Sequence, residues 1–131
     1  MEKIAEEVFD HRVTRSRLQA FLADPTRALV IAAKNGAVVG QLRAHLILHP
    51  DQGPECLIEN LGVSPAQQRQ GIASRLVAEA LAIAGEWGCE GVYVMTEPDN
   101  APARGFYAAQ GWSDSTVTLY DGRLMPPKTP S

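Results

Sequence analysis

The stretch from Ile58 to Leu76, IENLGVSPAQQRQGIASRL, constrains the fold of this chain more than any other. It reads as strand, short loop, glycine turn and helix. Leu57, Ile58, Leu61 and Val63 form a short apolar run with Asn60 and Gly62 inside it. Ser64-Pro65 ends the run, because proline has no N–H to continue a ladder. Beyond Gln68-Arg69-Gln70-Gly71, the apolar positions Ile72, Leu76, Val77, Ala80, Leu81 and Ala84 recur at three- and four-residue spacing, which predicts a helix. Arg75, Glu79 and Glu86 fall on its opposite face. A glycine turn that opens a helix leaves backbone N–H groups unpaired at the positive end of the helix dipole, so the corner suits a phosphate or pyrophosphate. No Gly-Lys-Ser/Thr follows, which excludes a P-loop. Gly71 stands alone where a dinucleotide fold needs G-x-G-x-x-G.

The rest of the chain arranges itself around this unit. Ile4, Ala5, Val8 and Phe9 at helical spacing predict a short helix over 2–9. Thr14 is placed to cap a second helix with Leu18, Phe21 and Leu22 on one face, and Asp24-Pro25 stops it. Ala28 to Ala33 reads as a strand, and Asn35-Gly36 as a tight hairpin turn into a long return strand, Ala37 to Leu48, with Gly40 marking a bend or bulge. Gly88 closes the central helix. Gly91 to Thr96 is a strand whose run Val92, Tyr93, Val94, Met95 suits an interior position. Pro102 opens a last helix running to about Gln110, Gly111 caps it, and Trp112 to Tyr120 alternates like a further strand. The unit over 57–96 implies a parallel pair, and the hairpin an antiparallel one. The expected fold is α/β (α+β): a mixed, mostly antiparallel twisted sheet with helices on both faces. One domain over 1–125, with a loose tail at 126–131, is expected from 131 residues.

Composition narrows the function. An apolar fraction of 45% fits a soluble globular protein, and no apolar run approaches the ~20 residues of a membrane helix. The N-terminal MEKIAEEVF lacks the layout of a signal peptide. Cys56 and Cys89 have no metal-ligand spacing and no activating neighbour in sequence, so they read as core thiols in a cytoplasmic protein. A net charge of −3 argues against nucleic acid and for a cationic substrate.

Gln68-x-x-Gly71-x-Ala73 after a strand resembles the acyl-CoA pyrophosphate signature Q/R-x-x-G-x-G/A of the GNAT superfamily of N-acetyltransferases. A second block, Thr96-Glu97-Pro98-Asp99-Asn100 through Phe106-Tyr107 to Gly111-Trp112, resembles the family's later motif at the expected distance. The chain is most similar to small-molecule amine acetyltransferases of the aminoglycoside 3-N-acetyltransferase type, over roughly residues 4 to 124. The resemblance implies acetyl-CoA as acyl donor and direct transfer to a small amine, aminoglycoside-like or polyamine-like. An acyl-CoA-binding module with little catalysis and a protein or peptide N-acetyltransferase are the alternatives. The family normally opens with a strand that this sequence lacks; an edge left open in that way favours a homodimer.

Acetyl transfer to an amine requires that the donor be held, the ammonium lose a proton and the thiolate gain one. The donor cradle is Gln68 with the loop Arg69, Gln70, Gly71, Ile72, Ala73 and Ser74. By resemblance, backbone groups of Leu61 and Val63 pair with the pantetheine arm, and Asn60 and Gly62 sit where the family's central strand bulges, offering an amide N–H to the acetyl carbonyl. Glu59 is the candidate base, alternating with Ile58 so that it faces a cleft; His45 or a water chain are the other acceptors. Some family members carry a glutamate at this point. The aminoglycoside enzymes tend to have an aspartate one position on, where this chain has Asn60. By resemblance Tyr107 is the acid that meets the coenzyme sulfur, and Asn100 binds the coenzyme arm. Glu97, Asp99, Asp114 and Asp121 fall at strand ends or turns, where they could line an acidic pocket.

Overall fold

The computed structural model describes residues 3–124, in two compact units divided after Met95. In the first, the hairpin comes out as the sequence predicts. β2 (Arg27–Lys34) pairs antiparallel with β3 (Ala37–Ile47), and the turn residues Asn35 and Gly36 both have positive φ, 53° and 77°, as a two-residue type I′ turn requires. β3 pairs antiparallel with β4 (Glu55–Val63) on its other edge, and β4 pairs parallel with β5 (Gly91–Val94). The crossover from β4 to β5 is α2 (Ile72–Glu86), preceded by a single 3₁₀ turn at Pro65–Gln67.

The sheet buries one layer of side chains under α2. Leu42 and Ala44 of β3, Cys56 and Ile58 of β4, and Leu76, Val77, Ala80 and Ala84 of α2 are all buried. Each fully buried Leu, Ile or Val contributes on the order of 1.5–3 kcal/mol. α1 (Arg15–Ala23) lies on the opposite face, where the Phe21 ring meets the His45 ring edge-on at 5.8 Å. Helices therefore cover both faces. Thr14 caps α1 by position, but its side chain makes no capping bond. β2 and β3 slip by one residue beside Gly40, where Ala32 pairs with Gly40 and Ala33 with Val38.

Two expectations are overturned. Of the short helix expected over 2–9, the described part, 3–9, is not helical: Lys3–Ile4 forms a short strand, β1, parallel to β3, so a strand does precede the first helix. Ala37 and Val38 are already paired on one edge with Lys34 and Ala33. Lys3 and Ile4 therefore take the other edge, the one β4 lines from Gly40 onward. An eight-residue helix is marginal on its own, and burying Val8 against the sheet wins, with Glu7 turned at φ 60° to aim it inward. Trp112 to Tyr120 is not a strand either. Alternation supplies a face but not a ladder partner, and Val117, Leu119 and Tyr120 stay 72–89% exposed. The second unit instead centres on α3 (Ala101–Ala109). The expected tail at 126–131 lies outside the described residues.

Candidate active site

β4 is longer than the partner on its outer side. Its pairs with β5 stop at Ile58–Val94, while pairing with β3 continues to Val63. Among the described residues, the outer edge from Glu59 to Val63 has no strand beside it. Ser64 N–H donates to Val39 O at 2.8 Å, so by alternation the peptide groups of Leu61 and Val63 point away from β3, toward that open edge. The Gln68 side-chain amide donates to Val63 O at 3.3 Å. Leu61, Val63 and Gln68 thus meet at one open edge.

The bulge is at Glu59. Ala44 pairs with Ile58 and Arg43 with Asn60, which leaves Glu59 as the extra residue. The expected position, at Asn60 and Gly62, is corrected by one residue: both remain in register, opposite Arg43 and Gln41. An extra residue breaks alternation, so Glu59 and Asn60 share the face that carries Arg43 and His45. There His45 Nε2 lies 2.8 Å from Glu59 Oε1, with Arg43 Nε 3.8 Å from the same oxygen. The two candidate bases are thus one hydrogen-bonded pair.

Sequence reasoning missed what holds this bulge. Gln41 is wholly buried; its amide nitrogen donates to Val8 O at 3.1 Å and to Asn60 Oδ1. Asn60 Nδ2 in turn donates to Asp10 Oδ2 at 3.1 Å. A side chain at Gly62 would bring its Cβ within 3.0 Å of Val8 O, so glycine there admits the Val8–Asp10 segment onto the sheet. The signal for Gln41 was a lone amide inside the apolar run AVVGQL.

At the start of α2, Arg69 has φ 66° and Gly71 φ 76°, and no side chain caps the helix. The first bond into the turn is Arg75 N–H to Gly71 O at 3.1 Å. The N–H groups of Ile72, Ala73 and Ser74 precede any intrahelical acceptor. Among the described residues, no atom beyond its chain neighbours and its own helix lies within 4 Å of where a Cβ on Gly71 would sit. Gln70 lies at this corner, where the sequence leads one to expect an anion.

In the second unit, Asn100 is the N-cap of α3 and its Oδ1 accepts from Ala103 N at 3.2 Å. Its Nδ2 remains the group able to donate to a ligand. The Tyr107 ring stacks on Trp112 at 5.8 Å with Phe106 edge-on at 5.1 Å. Burial raises the Tyr107 pKa above the usual phenol value, which keeps its hydroxyl a proton donor. Asp114 pairs with Arg104 at 3.3 Å, which offsets its charge. Burial pushes the Cys56 thiol up to about 11, with Cys89 a smaller contributor; burial, then Glu55, raises Cys89. Neither is an activated nucleophile.

A strand edge that opens beside a bulge, next to an uncapped helix start, is the arrangement on which the family assignment can be tested. The Acetyltransferase (GNAT) family matches residues 1–112, and the chain belongs to that family. It is an N-acetyltransferase that uses acetyl-CoA. An uncharacterized N-acetyltransferase of Mycobacterium tuberculosis is 33% identical over 111 residues, covering 85% of this chain and 68% of the relative. The aminoalkylphosphonate N-acetyltransferase of Salmonella typhimurium is 29% identical over 114 residues, 86% and 74% of the two chains. Among solved structures, an aminoglycoside acetyltransferase from an uncultured soil metagenomic sample, in complex with trehalose, superposes with a TM-score of 0.80 at 23% identity over 88% of this chain and 77% of that one.

Proposed function

We propose that the chain acetylates a primary amine of a small molecule, of aminoglycoside-like or polyamine-like chemistry, by direct transfer. The observation that carries this reading is the Glu59 bulge, which sets a carboxylate and its histidine partner beside the open edge of β4. Acetyl-CoA supplies an activated acetyl group when bound. Backbone groups of Leu61 and Val63, with Gly62 between them, receive its pantetheine arm as an added strand. The loop residues Arg69, Gln70, Gly71, Ile72, Ala73 and Ser74, with Gln68 at its mouth, hold the pyrophosphate, and Asn100 donates to the arm. The uncapped helix start and the open space at Gly71 fit such a group.

Glu59 accepts the ammonium proton at Oε1 or Oε2, and His45 keeps the carboxylate oriented and offers the proton an exit. Tyr107, assigned by the sequence match, holds at its hydroxyl the proton that the coenzyme sulfur takes. The protonated thiols of Cys56 and Cys89 support direct transfer without an enzyme-bound acetyl group. The name of the Salmonella relative supports a small amine as acceptor.

Mass spectrometry of products from a panel of aminoglycosides, polyamines, aminoalkylphosphonates and peptides tests the reading. Acetylated small amines are expected. Acetylated peptides alone, or coenzyme binding with no product, would replace it with one of the alternatives. We further place the protein in the cytoplasm as a homodimer, supported by the outer edge of β2, which has no strand beside it among the described residues, and by half-exposed Ile31 on that strand. Sedimentation showing only a 14.2 kDa species at tens of micromolar would remove the dimer.

A further inference from the structure

The hairpin delivers a cation to the anion corner. Along β2, Val30, Ala32 and Lys34 alternate onto the face covered by α2. Ala32 pairs with Gly40, and a Cβ built at Gly40 would lie 3.1 Å from Ile72 and 3.2 Å from Leu76, which fixes which face this is. Lys34 is the last residue before the type I′ turn, so its side chain reaches past the sheet toward the segment that precedes α2. Its ammonium lies 3.1 Å from Gln67 Oε1 and 3.3 Å from Gln70 Oε1. An ammonium has three donors, and these two bonds leave one free.

The surrounding charge has no internal explanation. Arg75, in the first turn of α2, lines the same groove as Lys34 and Gln70, with Glu79 one turn further along. No acid occupies the first turn of α2. Among the described residues, none of Lys34, Arg69 and Arg75 lies within 4.0 Å of a carboxylate. Cations at a helix N-terminus are disfavoured by the dipole, and here they gather in a chain with more acidic than basic residues, 15 against 12. Lys34 and Arg75 line one groove beside an uncapped helix start, a setting that suits an anion of more than one charge.

Backbone N–H groups of the loop account for one anion, the pyrophosphate. The cation presented from β2 is additional to them. We propose that Lys34 is a specificity-determining ligand for the 3′-phosphate of the coenzyme, held in place by Gln67 and Gln70. The proposal rests on the reading of Arg69–Ser74 as the phosphate loop, and it makes the protein discriminate CoA from dephospho-CoA.

Calorimetric titration of the full chain with CoA and with dephospho-CoA tests it, using Lys34→Gln, Lys34→Arg, and Arg17→Gln on α1 as a remote control. Wild type is expected to bind CoA more tightly than dephospho-CoA. Lys34→Gln should weaken CoA about ten- to a hundredfold, the range for a charge-assisted hydrogen bond, and dephospho-CoA less than about twofold. Lys34→Arg should restore most of the loss, and Arg17→Gln should change neither ligand. The CoA affinity of Lys34→Gln should also fall less steeply with added salt. Equal losses for both ligands would overturn the 3′-phosphate assignment, and an unchanged CoA affinity would overturn any role for Lys34. A folded wild type that binds neither ligand would overturn the phosphate-loop reading itself.

Discussion

Gly62→Ala isolates the contact that seats the Val8–Asp10 segment. Gly62 has no positive φ, so alanine meets no backbone penalty, and in a strand it would by itself add about 0.5–1 kcal/mol of stability. The added methyl instead collides with Val8 O, a main-chain atom that moves only with its segment. Displacing that segment breaks the Gln41 to Val8 O bond, about 1 kcal/mol net and up to ~3 if the buried donor is left unpaired. It also uncovers the Val8 side chain, now 1% exposed, at a further ~1.5–3 kcal/mol. With partial relaxation the expected loss is about 2–4 kcal/mol, read by urea unfolding as a lower midpoint at unchanged slope. A cycle with Val8→Ala sharpens the test. The double variant should lose at least ~1 kcal/mol less than the sum of the singles, because both remove the same burial. A loss under ~0.5 kcal/mol for Gly62→Ala, or strict additivity with Val8→Ala, would refute the argument.

Three further outcomes are expected. Gly71→Glu should abolish CoA binding in calorimetry while unfolding stays cooperative, because the new carboxylate opposes the phosphates from open space; unchanged affinity in a folded variant would move the site elsewhere. Tyr107→Phe should leave CoA affinity intact and lower turnover roughly ten- to a thousandfold, whereas the loss in Glu59→Gln should be partly restored at higher pH, where more amine is free; parallel rate–pH profiles between about pH 6 and 9.5 would remove both assignments. Burial pushes the folded Cys56 thiol up to about 11, above its ordinary value, so its stabilising contribution is complete below that ordinary value and lost as pH rises through about 11. Denaturation over that range should show a decline in stability that Cys56→Ala abolishes.

The parts of the fold written in local chemistry were legible. Asn35-Gly36 specified its turn, the three- and four-residue spacing from Ile72 specified α2, and Pro102 specified the first turn of α3. Parts decided by partners far along the chain were not. Residues 2–9 carry a helical pattern, yet Val8 gains more from Gln41, 33 residues away, than from a helical turn. Trp112 to Tyr120 carries a strand pattern but pairs with no strand among the described residues. At the site, the loop around Gly71 was readable because glycine and helix start are adjacent in sequence. Glu59 and His45 were each visible as a candidate base, but their pairing depends on a register slip that no local pattern records.

That slip sets the interests of the sheet against those of the chemistry. Without Glu59, Ile58 and Asn60 would be neighbours, and Ala44–Ile58 and Arg43–Asn60 would follow one another in an unbroken ladder. A chain lacking this one residue keeps every other pair and gains a more regular sheet, so folding alone gives no reason to retain it. A deletion variant should therefore melt as cooperatively as the parent and, on the role proposed for Glu59, lose turnover. Selection for stability alone would set little against the loss of that carboxylate.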